Sequence, residues 1–125
     1  MATIGHYING KNIEGKSGNT KPVFNPATGS SDNNVTLANL DEVNSAVDAA
    51  KSAWQSWAKQ PPLRRARILD KFKFIIDQRR DELAKCISSE HGKTHDDALG
   101  EVTRGLEVVE FAVGAPHILK GDYSE

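Results

Sequence analysis

The chain has 125 residues, 38% of them apolar and 26% charged, with 16 Lys and Arg set against 17 Asp and Glu. That length suits one modest domain or a piece of a larger protein. The nearly cancelling charge leaves no basic excess to hold a phosphate backbone, which argues against nucleic acid as a partner, and apolar runs of only a few residues do not span a membrane. A lone cysteine excludes an internal disulfide and fits a reducing compartment: the cytoplasm, or the mitochondrial matrix if the source is a eukaryote. The opening MATIGHYING lacks the basic and apolar regions of a signal peptide.

Residues 1–38 read as a short β-hairpin and an extended segment. Tyr7-Ile8-Asn9-Gly10-Lys11 sets Asn-Gly between short β-type runs, and both residues tolerate the positive φ that a two-residue type I′ turn demands. GKSGNTK, from Gly15, is small and polar and reads as a loop. In Val23-Phe24-Asn25-Pro26-Ala27-Thr28-Gly29, Pro26 pushes Asn25 out of the α region and Gly29 supports a turn. A further short strand is expected over Val35–Ala38.

From Asn39 the period changes to that of a helix. Asn39 can cap, and Glu42 stands three residues on, where its side chain can bond back. Val43, Ala46, Val47, Ala50, Trp54 and Trp57 then recur at helical spacing. Pro61-Pro62 ends this helix or opens the next, which carries Leu69, Phe72 and Ile76 on one stripe, with Ile68 and Ile75 beside it. Asp77-Gln78-Arg79-Arg80-Asp81 interrupts the apolar pattern and predicts a break. A third helix runs through Leu83, Ala84 and Ile87 to Gly92, a suitable C′ glycine. The fourth opens at Thr94, with Asp97 at the capping-box spacing, and stops at Gly114-Ala115-Pro116. The class is therefore α+β and mainly helical, about four amphipathic helices over 39–119 behind an N-terminal hairpin, with 39–125 the helical segment. Two or three short strands with nothing to cover them look like part of a sheet completed elsewhere, so the chain is expected to be a piece of a longer protein.

The richest stretch in chemistry-bearing side chains is EHGKTHDDALGEVTRGLEVVEF, Glu90 to Phe111. His91 and His95 are four apart, but Gly92 and the Thr94 cap fall between them and no third ligand has a recognisable spacing, so no metal is expected. Asp96 and Asp97 lie where the unpaired N–H groups of a helix start favour carboxylates, and capping explains them. Cys86, in LAKCISS, has no histidine at a catalytic spacing and reads as a small core residue. Gly100 and Gly105 lie inside the fourth helix, at about 1 kcal/mol each relative to Ala, which suggests close approach by a neighbour. At 100° per residue Ala98, Val102, Gly105, Leu106, Val109, Ala112 and Val113 form one apolar face, extended by Val108 and Phe111, and Arg104 lies on the edge of that widened arc. A charge there needs a partner. Spacing alone favours Glu101, three residues away; the alternative is an anion, since the guanidinium fork matches a carboxylate.

The ordered set Tyr7-Ile8-Asn9-Gly10, Asn25-Pro26-Ala27-Thr28-Gly29, Ala46-Val47-Asp48-Ala49-Ala50, Trp57, Arg67-Ile68-Leu69, Glu82-Leu83-Ala84 and Glu90-His91-Gly92-Lys93 resembles the N-terminus of the aldehyde dehydrogenase superfamily. Ala98-Leu99-Gly100-Glu101-Val102 and Arg104-Gly105-Leu106-Glu107-Val108-Val109-Glu110-Phe111 look most like its methylmalonate-semialdehyde dehydrogenase branch. Thr94-His95-Asp96-Asp97 is only loosely like relatives.

The resemblance implies the N-terminal part of that fold, where the NAD-binding region begins, and a homo-oligomer. It implies oxidation of methylmalonate or malonate semialdehyde with NAD and coenzyme A: a cysteine thiolate attacks the aldehyde, hydride passes to NAD, and the acyl group moves to coenzyme A. The family's reactive cysteine has a Gly-Gln-x-Cys setting that Cys86 does not match, so the 125-residue chain is expected to bind no cofactor and to be inert by itself. One role carries over. The branch's Glu-Val-x-Arg-Gly arginine holds the substrate's carboxylate, and Arg104 in Glu101-Val102-Thr103-Arg104-Gly105 matches it, which reverses the preference for an internal partner. The competing expectations are another aldehyde dehydrogenase branch with Arg104 structural, and a stand-alone helical protein-interaction module.

Overall fold

The computed structural model describes residues 2–119 and 121 and divides into two compact units, Met1–Lys59 and Gln60–Glu125. In the first, five short strands precede one long helix: β1 (Ala2–Ile4), β2 (His6–Ile8), β3 (Lys11–Ile13), β4 (Thr20–Phe24), β5 (Ser31–Thr36) and α1 (Leu40–Ala58). The Asn9-Gly10 hairpin forms as the sequence predicts. Both residues take positive φ, 53° and 73°, and β2 pairs antiparallel with β3, Tyr7 opposite Asn12. The remaining strands make a separate sheet in the order β1-β5-β4. Within it β1 runs parallel to β5, with Ala2 opposite Asn33, and β4 runs antiparallel to β5, with an irregularity at Val23/Phe24.

Two or three strands are expected from the sequence, and five occur among the described residues. Those missed, β1 and β4, are stabilised by pairing with β5, which no local pattern reports. The expected strand over Val35–Ala38 is the end of a longer one that starts at Ser31, and the GKSGNTK loop gives its last two residues to β4. The turn between β4 and β5 is as expected. Asn25 Oδ1 accepts from the Ala27 N–H at 2.9 Å, and the Gly29 N–H donates to the Asn25 carbonyl at 2.8 Å.

Helix α1 starts on the full capping box. Asn39 Oδ1 accepts from the Glu42 N–H and Glu42 Oε2 accepts from the Asn39 N–H, both at 2.9 Å. The second Glu42 oxygen takes the Lys16 N–H at 2.7 Å, tying the loop before β4 to the helix start. Those two backbone donors, Asn39 first, hold the Glu42 carboxyl below its usual range.

The second unit is helical: α2 (Pro62–Gln78), α3 (Arg80–His91), α4 (His95–Val113) and the short α5 (Ala115–Ile118). Pro62 stands at the first helical position of α2, where its missing N–H costs nothing. The break predicted over 77–81 falls at Arg79, and α3 ends on Gly92 in the left-handed region at φ 78°. Thr94 caps α4, its Oγ1 accepting from the Asp97 N–H at 3.3 Å. Helix α4 does stop at Gly114, but a further short helix follows, so there are five helices among the described residues where about four were expected.

The core sits where α3 meets α4. Ala84 and Ala98 have no exposed surface, and their small side chains let the helices approach; Val102 and Leu106 continue the seam, with Ile76, Ile87 and Leu99 around it. Lys73 Nζ on α2 meets Glu110 Oε1 on α4 at 2.5 Å. No helix among the described residues is long and apolar enough to cross a membrane.

Candidate functional site

One side of α4 is the seam; the other carries the candidate site. Val108 and Phe111, placed by periodicity on an extension of the buried face, are 69% and 72% exposed. The buried arc is narrower than the apolar arc, so this part of the helix presents apolar side chains outward beside Arg104, which is itself exposed.

Arg104 makes no hydrogen bond or ion pair with any described residue. Its spacing partner is occupied: Glu101 Oε1 lies 2.5 Å from Lys93 Nζ, and Lys93 also lies 4.0 Å from Asp97 Oδ2. Lys93 leaves the left-handed Gly92, and its side chain is only 17% exposed as it runs along α4 past Asp97 to Glu101. This pairing, helped last by the charge of Arg104, holds the Glu101 carboxyl below its usual range. The Arg104 guanidinium leans back one turn, as helical side chains do, so that Nη1 stands 3.6 Å from where a Cβ on Gly100 would be. The other interior glycine, Gly105, has nothing within 4 Å of such a position. The neighbour expected near both glycines is thus the Arg104 side chain at Gly100 and is absent at Gly105 among the described residues.

The conspicuous His and Asp residues are dispersed. His91 is exposed, while His95 Nε2 meets Asp81 Oδ1 at 2.9 Å. Lys85 Nζ takes the other Asp81 oxygen at 2.5 Å and is the main reason the Asp81 carboxyl lies below its usual range. No group of three or more His, Cys, Asp or Glu with the geometry of a metal site occurs among the described residues.

Cys86 corrects an expectation. It is exposed rather than core, on the rim of an apolar cavity of about 230 Å³ with Phe72, Ile75 and Leu83. The helical stripe that carries Cys86 is wider than the surface the chain covers. Lys93 is the residue that spacing rules passed over. Its signal is the spacing Lys93, Asp97, Glu101 and then Arg104, at intervals of four, four and three, with Lys93 just before the start of α4.

The sequence model of the aldehyde dehydrogenase family matches residues 13–125. The chain belongs to the aldehyde dehydrogenase family. It is 45% identical over 99% of its length to a malonate-semialdehyde dehydrogenase of Pseudomonas aeruginosa, covering 25% of that protein. A methylmalonate-semialdehyde dehydrogenase of Oceanimonas doudoroffii superposes with a TM-score of 0.95 at 45% identity, over all of this chain and 25% of the other. A Sinorhizobium meliloti protein described as a methylmalonate-semialdehyde dehydrogenase and solved with NAD gives a TM-score of 0.93 at 46% identity, over 98% of this chain and 25% of that one. The chain spans about a quarter of the length of these relatives and matches the N-terminal part of the aldehyde dehydrogenase fold.

The described residues contain no glycine-rich cradle for a dinucleotide. A dinucleotide cradle needs a glycine-rich turn between a strand and a helix. The passage from β5 to α1 runs through Leu37-Ala38-Asn39, and its helix start is already filled by Glu42.

Proposed function

We propose that this chain forms the N-terminal part of an NAD-dependent, coenzyme A-acylating methylmalonate- or malonate-semialdehyde dehydrogenase, and that Arg104 receives the substrate's carboxylate there. One observation carries the assignment: the Arg104 guanidinium is exposed and without a partner among the described residues, although an acid stands three residues away. Identity near 45% to malonate-semialdehyde dehydrogenases supports the same substrate class.

The chemistry suits the substrate. A semialdehyde acid has a carboxylate at one end and a reactive carbonyl at the other, with a short apolar link between. A guanidinium fork binds a carboxylate through two parallel N–H···O bonds and so fixes its orientation as well as its charge. Val108, one turn beyond Arg104, and Phe111 offer apolar surface beside it. Gly105 leaves open the space that a Cβ would fill. The role of Arg104 is to select and orient. The thiol that forms the acyl intermediate and the cofactor sites are assigned to other parts of the protein, since Cys86 in LAKCISS lacks the Gly-Gln-x-Cys setting expected of that thiol.

The test is Arg104→Ala in the complete enzyme. The KM for malonate semialdehyde should rise about thirtyfold, the effect of losing a charge-assisted pair of hydrogen bonds, while an uncharged aldehyde such as propanal is nearly unaffected. Equal losses for both substrates would defeat the assignment. The 125-residue chain assayed alone serves as the control and should reduce no NAD.

A further inference from the structure

We infer that Lys93 is a positioning residue for the anion site: by holding the Glu101 carboxylate in an ion pair of its own, it keeps the Arg104 guanidinium free for a carboxylate ligand. The inference deepens the proposed role of Arg104 and rests on it.

The argument is one of competition along a helix. Glu101 and Arg104 are three residues apart on α4, a spacing at which acid and base are surface neighbours and pair readily. An arginine paired in that way would meet a substrate carboxylate already half neutralised and with part of its fork occupied. Glu101 instead points towards the helix start, to Lys93 Nζ at 2.5 Å. Lys93 is suited to hold it there. It directly follows the left-handed Gly92 at the end of α3, and its side chain is largely covered, at 17% exposed against 39% for Glu101. The pair is therefore better shielded from water than an ordinary surface ion pair. The remaining acids near the row are placed elsewhere. Asp97 is 4.0 Å from the same Lys93, and Glu107, three residues beyond Arg104, makes no ion pair with it. The guanidinium lies over the preceding turn, with Nη1 3.6 Å from where a Cβ on Gly100 would be, an ordinary contact distance.

The row Lys93–Asp97–Glu101–Arg104 thus has two cations for two acids, but both acids are drawn to the first cation. Neutralising Lys93 releases Glu101 to the second.

The experiment is steady-state kinetics of the complete enzyme, with malonate semialdehyde and propanal as paired substrates, for Lys93→Met, Glu101→Gln, the double variant and Arg104→Gln. Lys93→Met should raise the KM for malonate semialdehyde about twofold, the scale of an i,i+3 ion pair, with kcat and the propanal constants little changed. Adding Glu101→Gln should restore the KM, because the competitor is then gone. A purely structural role for Lys93 predicts no such rescue. Glu101→Gln alone should leave the malonate semialdehyde KM unchanged or lower, and this variant decides the question even if Lys93→Met folds poorly. A rise in KM for Glu101→Gln alone, or a double variant no better than Lys93→Met, would overturn the inference. Arg104→Gln separates the two layers. If it loses selectivity for the charged substrate while the Lys93 arm fails, only the present inference falls; if it affects both substrates equally, the carboxylate role falls and takes this one with it.

Discussion

Both sides of α4 carry apolar side chains, in opposite surroundings. On one side Ala98, Val102 and Leu106 are at most 7% exposed, against α3 and Ile76 of α2; on the other Val108 and Phe111 are about 70% exposed, beside an arginine with no partner among the described residues. Helical spacing is the same for both. What separates them is the neighbour: α3 and Ile76 cover the first side, and no described residue is buried against Val108 or Phe111 on the second. The first side therefore belongs to the packing of α3 and α4, and the second is the side on which the proposed role of Arg104 depends.

The sharpest way to break that contrast is to remove a side chain from each side and compare stability. Leu106→Ala opens a cavity in the seam and should cost about 3 kcal/mol, read as a lowered denaturation midpoint of the chain. Phe111→Ala deletes a larger apolar group but should stay within about 0.5 kcal/mol, as expected where little surface is buried. Similar losses for the two would mean that the second side is not open. A smaller effect concerns association. Exposed Val108 and Phe111, with Trp54 at 65% and Phe72 at 50% elsewhere, are apolar surface that water disfavours, so the isolated chain should self-associate. Light scattering should show the average mass falling when Phe111 and Phe72 are replaced by Ser; a clean monomer before substitution would remove the need for a partner on these faces.

How much of this was legible in the sequence follows from the range of each interaction. The Asn39–Glu42 capping box, the Asn9-Gly10 turn, Pro62 at a helix start and Gly92 at a helix end are set by residues within four positions of one another, and all were readable. Strand β1 was not, because Ala2 to Ile4 acquire their structure from Asn33 to Val35, and nothing local marks that register. Periodicity gave the direction of the apolar face of α4 but not its buried width. Val108 and Phe111 were therefore assigned to the covered arc, and Cys86 on α3 was misjudged for the same reason. Arg104 is proposed as a site residue from resemblance to relatives, and its physical setting is not legible in the sequence. Counting i,i+3 pairs proposes Glu101 as its partner, whereas the competitor Lys93 lies before the helix begins, outside any window drawn on α4.

The smallest expected effect tests that competitor directly. The Glu101 carboxyl lies below its ordinary value of 4.5, chiefly because of Lys93. For a carboxyl lowered by folding, the contribution to stability is fully present above the ordinary value and is lost as pH falls from there through the folded value. The Lys93–Glu101 pair should therefore add nothing to the pH dependence of the melting temperature between pH 7 and about 5, and a small decrease below about 4.5. Glu42, Asp81 and Glu82 are lowered in the same sense by their own partners, so the parent chain will lose stability in acid whatever Lys93 does. The informative quantity is the difference between parent and Lys93→Met. It should be constant above the window and shrink within it, because Glu101 protonated in both proteins no longer distinguishes them. A difference that stays constant down to pH 3 would mean that Lys93 contributes through its stem and not through its charge, and the open side of α4 would lose the electrostatic arrangement that keeps Arg104 available.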